Sequence, residues 1–125
     1  MGFPEGWPES CPPADAEDAG GVYFRLVNAS PPSVSDFESH LESGRVPKGP
    51  PCLRAGLSVF RTLRDVRHQA ALIPALGSMI AQATLDAAHG KSKPTKGKVP
   101  SHTTWWPYAD TDRRVLFSVV EQIEL

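Results

Sequence analysis

Apolar and polar positions alternate with a period of two in several short stretches, and with a helical period in two others. Residues 21–27 put Val22, Phe24 and Leu26 on one face and Tyr23, Arg25 and Val27 on the other, which predicts a first strand rich in β-branched and aromatic residues. Residues 56–62 repeat the alternation with Leu57 and Val59 against Ser58 and Phe60, then run into a helix. Thr62 and Asp65 have the spacing of an N-cap and its acidic first-turn partner. Leu63, Val66, Ala70 and Ile73 form the buried stripe of that helix, Arg64, Asp65, His68 and Gln69 are expected to face away, and Pro74 ends it. Residues 76–85 are rich in alanine, yet Met79, Ala81, Ala83 and Leu85 alternate, and a strand is predicted.

The remaining elements are shorter. Pro31-Pro32 breaks the first strand. Ser35 and Glu38 have capping-box spacing, Phe37 and Leu41 lie four apart, and Gly44 is placed to stop a helix of about two turns. Residues 45–55 read as a proline-rich loop made positive by Arg45, Lys48 and Arg54. Residues 86–100 read as a second long loop with Lys91, Lys93, Lys96 and Lys98, either a solvated flexible loop or one that folds over a phosphate-bearing ligand or RNA; it lacks the spacing of a Walker loop. Residues 101–106 form a polar-aromatic strand or ligand loop. One helical turn starting at Asp110 or Thr111 and ending at Arg114 precedes an apolar last strand at 115–123, whose continuous start suggests a central position. The sum is an α+β domain over 21–125 with a single small mixed or antiparallel sheet and two short helices.

Composition changes this picture in two places. Five acids and no base occupy residues 1–20, and Pro4, Pro8, Pro12 and Pro13 interrupt them, which predicts a disordered acidic arm. Phe3 and Trp7 in that arm suit docking on the domain or on a partner. The net charge of −1 therefore hides a mildly basic body, compatible with an anionic small molecule or a protein partner but far from the excess of a nucleic-acid binder. No apolar run is long enough to span a membrane, and no secretory signal pattern opens the chain. Cys11 and Cys52 alone do not make a disulfide framework, and two free thiols in a reducing cytoplasm are expected.

Candidate chemistry is sparse. His40, His68, His89 and His102 have no metal-ligand spacing, and no G-x-S-x-G elbow surrounds a serine. What remains is Arg25, Ser58, His102 and a late carboxylate. An arginine on the first strand can clamp a pyrophosphate, and a serine on a middle strand can orient it. Tyr23 and Trp105 supply aromatic faces for a base.

Tyr23-Phe24-Arg25-Leu26, Asp36-Phe37-Glu38-Ser39, residues 56–62 and His102-Thr103-Thr104-Trp105 resemble the shared pattern of a group of small, functionally uncharacterised bacterial proteins. More distantly, the layout is similar to ADP-ribosyltransferase-like domains, with Arg25, Gly44, Ser58 and Gln122-Ile123-Glu124 in the matching slots. That resemblance implies NAD as cofactor, Arg25, Tyr23 and Trp105 as ligand-binding residues, and Ser58, His102 and Glu124 as catalytic ones. A non-catalytic module that uses the acidic arm and the lysines to hold another protein is the alternative expectation, and RNA-end binding or processing through Arg25, the lysines and His102 a third.

Overall fold

The computed structural model describes residues 2–44 and 49–123. Among them, seven strands run in the order β1 (Glu17–Asp18), β2 (Gly21–Val27), β3 (Leu57–Val59), β4 (Met79–Leu85), β5 (Lys91–Pro94), β6 (Thr103–Trp106) and β7 (Ser118–Gln122). The helices are α1 (Pro51–Ala55), α2 (Leu63–Leu72) and α3 (Arg113–Leu116), with three 3₁₀ turns between elements.

The expected single sheet is two antiparallel sheets, ordered β1-β5-β6-β3 and β2-β4-β7. Phe60 explains the split. It leaves the β3–β6 ladder and exchanges both backbone hydrogen bonds with Phe24 of β2, at 2.8 Å each, so the chain crosses from one sheet to the other there. The two faces of β2 then serve two cores, as the alternation predicts. Tyr23 and Val27 join Leu57, Val59, Ala81, Ala83, Leu85 and Trp105 between the sheets. Phe24 and Leu26 join Ile80, Phe60, Val66 and Ala70 under α2. Met79, Ala81, Ala83 and Leu85 share the first core, so the alternation outweighs the helix preference of the alanines.

α2 begins where the cap spacing puts it: Thr62 Oγ1 accepts from the Asp65 N–H at 3.1 Å. Asp65 and Gln69 nevertheless do not face away. Both are buried, because residues 95–102 pass over that side of the helix and Ser101 N donates to Asp65 Oδ2 at 2.8 Å.

The predicted two-turn helix after Pro32 is one 3₁₀ turn, Val34–Phe37. Asp36, not Glu38, makes the cap. Its carboxylate accepts from Ser33 N and Asn28 N, tying the end of β2 to the turn. Gly44 has the expected left-handed φ of 74°, but it closes a tight turn that follows a Ser39–Glu42 exchange of backbone-to-side-chain bonds. Residues 51–55, read as loop, form α1, with Pro51 at a first-turn position that needs no N–H. Arg45 and Lys48 lie outside the described residues.

Three further expectations are corrected. Residues 2–20 are not a disordered arm. Phe3 packs on Tyr108 at 4.9 Å, β1 pairs with β5, and Ala19 is buried in the inter-sheet core. Cys11 and Cys52 are not free thiols: they form a disulfide with a Cα separation of 5.4 Å. The last strand is an edge strand, not a central one. Val115 and Leu116, whose apolar run suggested burial, belong to α3, and Ser118, Val120 and Gln122 are exposed. The stretch expected as a flexible lysine loop supplies β5. No helix among the described residues is long and apolar enough to cross a membrane.

Candidate functional site

Strand alternation builds the centre of the site. Leu57 and Val59 are buried, so Ser58 points to the outer face of its sheet. It stands opposite Thr104 in the β3–β6 register, and His102, two residues earlier, is its diagonal neighbour on that face. Ser58 Oγ and His102 Nε2 are 3.0 Å apart. His102 Nδ1 lies 3.2 Å from the Thr95 carbonyl oxygen and 3.0 Å from Thr95 Oγ1. A carbonyl only accepts, so with the proton on Nδ1 both Thr95 oxygens can accept it, and Nε2 is then free to accept from the Ser58 hydroxyl.

The imidazole is held on its other sides as well. Phe60 meets it edge-on at 5.7 Å. The backbone of Gly97 lies against it so closely that a Cβ there would come within 2.5 Å of His102 Cγ. Gly56, just before β3, is equally confined, since a Cβ there would run into Thr104 and the Trp106 ring.

Arg25 approaches from β2. Its Nε donates to Asp36 O at 2.9 Å and its Nη1 to the Ser58 carbonyl at 2.7 Å, and Nη2 has no hydrogen-bond partner among the described residues. Burial pushes the guanidinium pKa down to about 10, a change that Asp36 opposes and Arg113 reinforces. The group stays cationic at neutral pH, but as a desolvated cation that an anion would stabilise.

These residues line one cleft of about 380 Å³ that also takes in α1, the end of α2 and Lys96. Arg25, Arg54 and Lys96 bring three cationic side chains to its wall, against Glu38 as the carboxylate of the described lining. Two polar atoms of lining residues, Arg54 Nε and Gln69 Oε1, are buried without a hydrogen-bond partner among the described residues. Gln69 itself is only 7% exposed. Buried groups of this kind cost about 1–3 kcal/mol each when nothing satisfies them.

Of the six residues singled out from the sequence, the structure brings Arg25, Ser58 and His102 together. It does not bring Tyr23 or Trp105 to them. Tyr23 is fully buried, its hydroxyl accepts from Gly20 N and bonds Ser92 Oγ, and Arg61 covers its ring at 3.9 Å. Trp105 is buried against Phe117 and donates to His89 O at 3.0 Å. Both rings are core, and neither lines the cleft with Arg25. Glu124 lies outside the described residues. Nor does Ser58 orient Arg25 through its hydroxyl; the contact is to the backbone carbonyl.

Sequence reasoning missed Arg54, Gln69, Thr95 and Gly97. Gln69 sits on the polar side of α2 by periodicity. The pairing of Thr95 with His102 is visible only once Thr95 N is seen to donate to His102 O at 3.1 Å. Comparison with family models, with curated proteins and with solved structures finds no match to this chain.

Proposed function

We propose that the chain binds a small phosphate-bearing anion in the cleft between β2, β3 and α2. The observation that carries this reading is the lining: three cations face one carboxylate, and the Arg54 Nε donor and the Gln69 Oε1 acceptor are buried without a partner among the described residues. A phosphate oxygen suits the guanidinium groups of Arg54 and Arg25, and a ligand hydroxyl or amide suits Gln69. NAD is the member of this class that the ADP-ribosyltransferase-like layout singles out, with Arg25 on its phosphates and Ser58 and His102 beside them. The convergence of those three residues supports it. The alternative of a protein-holding module loses much of its motive, because acids of the amino-terminal segment and two of the lysines are spent on each other: Lys91 bonds Asp18 and Lys93 bonds Asp15.

Thermal shift and calorimetry with inorganic phosphate, pyrophosphate, ADP-ribose and NAD at millimolar concentration test this. A ligand present at a hundred times its Kd stabilises the fold by about 2.7 kcal/mol. Arg54→Met keeps the stem packing and removes the buried donor, so it should abolish the shift, while the unliganded protein should be at least as stable as the wild type. A flat response of the wild type to all four probes removes the reading.

A further inference from the structure

Ser58 and His102 have a geometry that anion binding does not require. A phosphate site needs donors, whereas Ser58 Oγ and His102 Nε2 lie 3.0 Å apart and face each other, and His102 Nδ1 lies against the Thr95 carbonyl, which can only accept its proton. This is the arrangement of an activated nucleophile: a hydroxyl on a base, the base on a third group that sets its tautomer. The supporting contacts are extensive. Phe60 and the Gly97 backbone fix the imidazole plane, and Thr95 Oγ1 is itself held by Thr104 Oγ1 at 2.8 Å. Ser58 is exposed to the cleft, while the residues on either side of it in the strand are buried.

We propose that Ser58 and His102 form a nucleophile–base pair that hydrolyses carboxylic esters whose acyl part ends in a second anionic group. The inference rests on the cleft reading above, since Arg54 and Arg25 would hold that anionic end. A carbonyl suits the nucleophile because it is uncharged and can approach the serine while the cationic wall takes the distant charge. In the first step the Ser58 Oγ–carbonyl carbon bond forms and the hydroxyl proton passes to His102 Nε2. The tetrahedral intermediate then expels the alcohol, breaking the carbon–oxygen bond, and His102 returns the proton to that oxygen. Water attacks the resulting acyl-serine, gives one proton to His102 Nε2, and releases the acid as Ser58 regains the proton. Nδ1 keeps its proton throughout, and the Thr95 carbonyl stabilises the imidazolium that forms twice per cycle. No oxidant or metal enters the balance.

The test uses the whole chain with two probes. A fluorophosphonate, which forms a stable oxygen–phosphorus bond with an activated serine and expels fluoride, is followed by intact-mass and peptide mass spectrometry. p-Nitrophenyl hemisuccinate, an anionic acyl ester, is compared with p-nitrophenyl acetate by release of p-nitrophenolate. The expected result is one phosphonyl group on Ser58 and none on heat-denatured protein. Labelling should slow by about 10²–10⁴-fold in His102→Gln, the range for losing a positioned base, and be absent in Ser58→Ala. The hemisuccinate should turn over faster than the acetate, and Arg54→Met should erase that preference. Ser58→Ala removes an exposed hydroxyl, and circular dichroism with a cooperative thermal melt confirms that it folds. If wild-type Ser58 stays unlabelled, or is labelled equally in His102→Gln, the proposal is overturned. A persisting phosphate or pyrophosphate shift in that case leaves the binding reading standing; if the shift is absent too, both fall.

Discussion

Lys93 Nζ lies 2.6 Å from Asp15 Oδ2, just beyond the short ladder that joins β1 to β5. Lys91 and Asp18 repeat the contact at 2.7 Å. The lysine-rich stretch and the acidic amino-terminal segment, which read separately as a flexible loop and a loose arm, are therefore two sides of one β-pairing. Exposed ion pairs contribute little to stability, so these select the register more than they hold it. The attachment comes from burial of Ala19, from the Phe3–Tyr108 contact and from the Cys11–Cys52 bond.

That division of labour predicts the effect of removing the disulfide. The bond closes a loop of 41 residues, for which chain entropy gives about 4 kcal/mol of stabilisation. In Cys11→Ser/Cys52→Ser, the urea midpoint should fall accordingly, and limited proteolysis should start within the first twenty residues. Adding reductant to the wild type should reproduce both effects. Raising salt alone should produce neither, because the lysine–aspartate pairs are not what holds the segment. An unchanged midpoint in the double variant would show that the Cys11–Cys52 link contributes nothing.

Periodicity carried much of this fold and stopped where contacts became non-local. β2, β3, β4 and α2 were legible because each has a face that must be buried, and a period of two or 3.6 records it. The doubled sheet was not legible, because it depends on Phe60 pairing with Phe24, 36 positions away in a chain that shows only local alternation. β5 was missed because Lys-Ser-Lys-Pro has no apolar face; its pairing is set by β6 beside it and by acids far upstream. At the site, Arg25, Ser58 and His102 stood out as reactive residue types near strand positions. Tyr23 and Trp105 stood out for the same reason and proved to be core, since large rings on a short strand are more often buried than presented. Gly97 carried a signal only in retrospect: a glycine five residues before the key histidine.

Gly97 gives the second prediction. A Cβ at this position meets His102 Cγ, Cβ and Cδ2 at 2.5, 2.8 and 2.9 Å, and these include the base of the ring and not only a flexible tip. Gly97→Ala must therefore push the imidazole away from Ser58 or lift the 95–102 segment off α2. Overpacking of this kind costs about 1–3 kcal/mol. Nitrogen-15 correlation spectra should show wild-type His102 with Nδ1 protonated and Nε2 bare, and should show a mixture of tautomers in Gly97→Ala. Retention of the single tautomer together with wild-type stability would mean that the glycine does not position the ring.

The last prediction concerns acid. Asp65 is buried at the start of α2, and bonds from Ser101, through its hydroxyl and its backbone N–H, hold its carboxyl below the usual aspartate value of 3.8, with Arg64 adding to the effect. Lys93 lowers Asp15 and Arg67 lowers Glu121. For Glu42 burial pulls upward, and the bidentate Arg113 bonds outweigh it, leaving the carboxyl below 4.5. Each group has a folded-state pKa beneath its unfolded one, so over that window the unfolded chain binds more protons and stability rises with pH. The contribution is complete above the unfolded values of 3.8 and 4.5 and is lost as pH falls through the folded ones. The melting temperature should thus be level from pH 7 to about 5 and drop steeply below about 4. Asp65→Asn isolates one member. It should be less stable than the wild type by roughly 1–2 kcal/mol at pH 7, where the charged acceptor is missing. The gap should narrow once pH falls below 3.8, where the unfolded chain takes up a proton before the folded carboxylate does, and should close below the folded-state pKa. Circular-dichroism melts of both proteins from pH 7 to the most acidic pH at which both still fold decide it: a gap that does not narrow at all below 3.8 would place the effect in packing and not in the Ser101 bonds to the charged carboxylate.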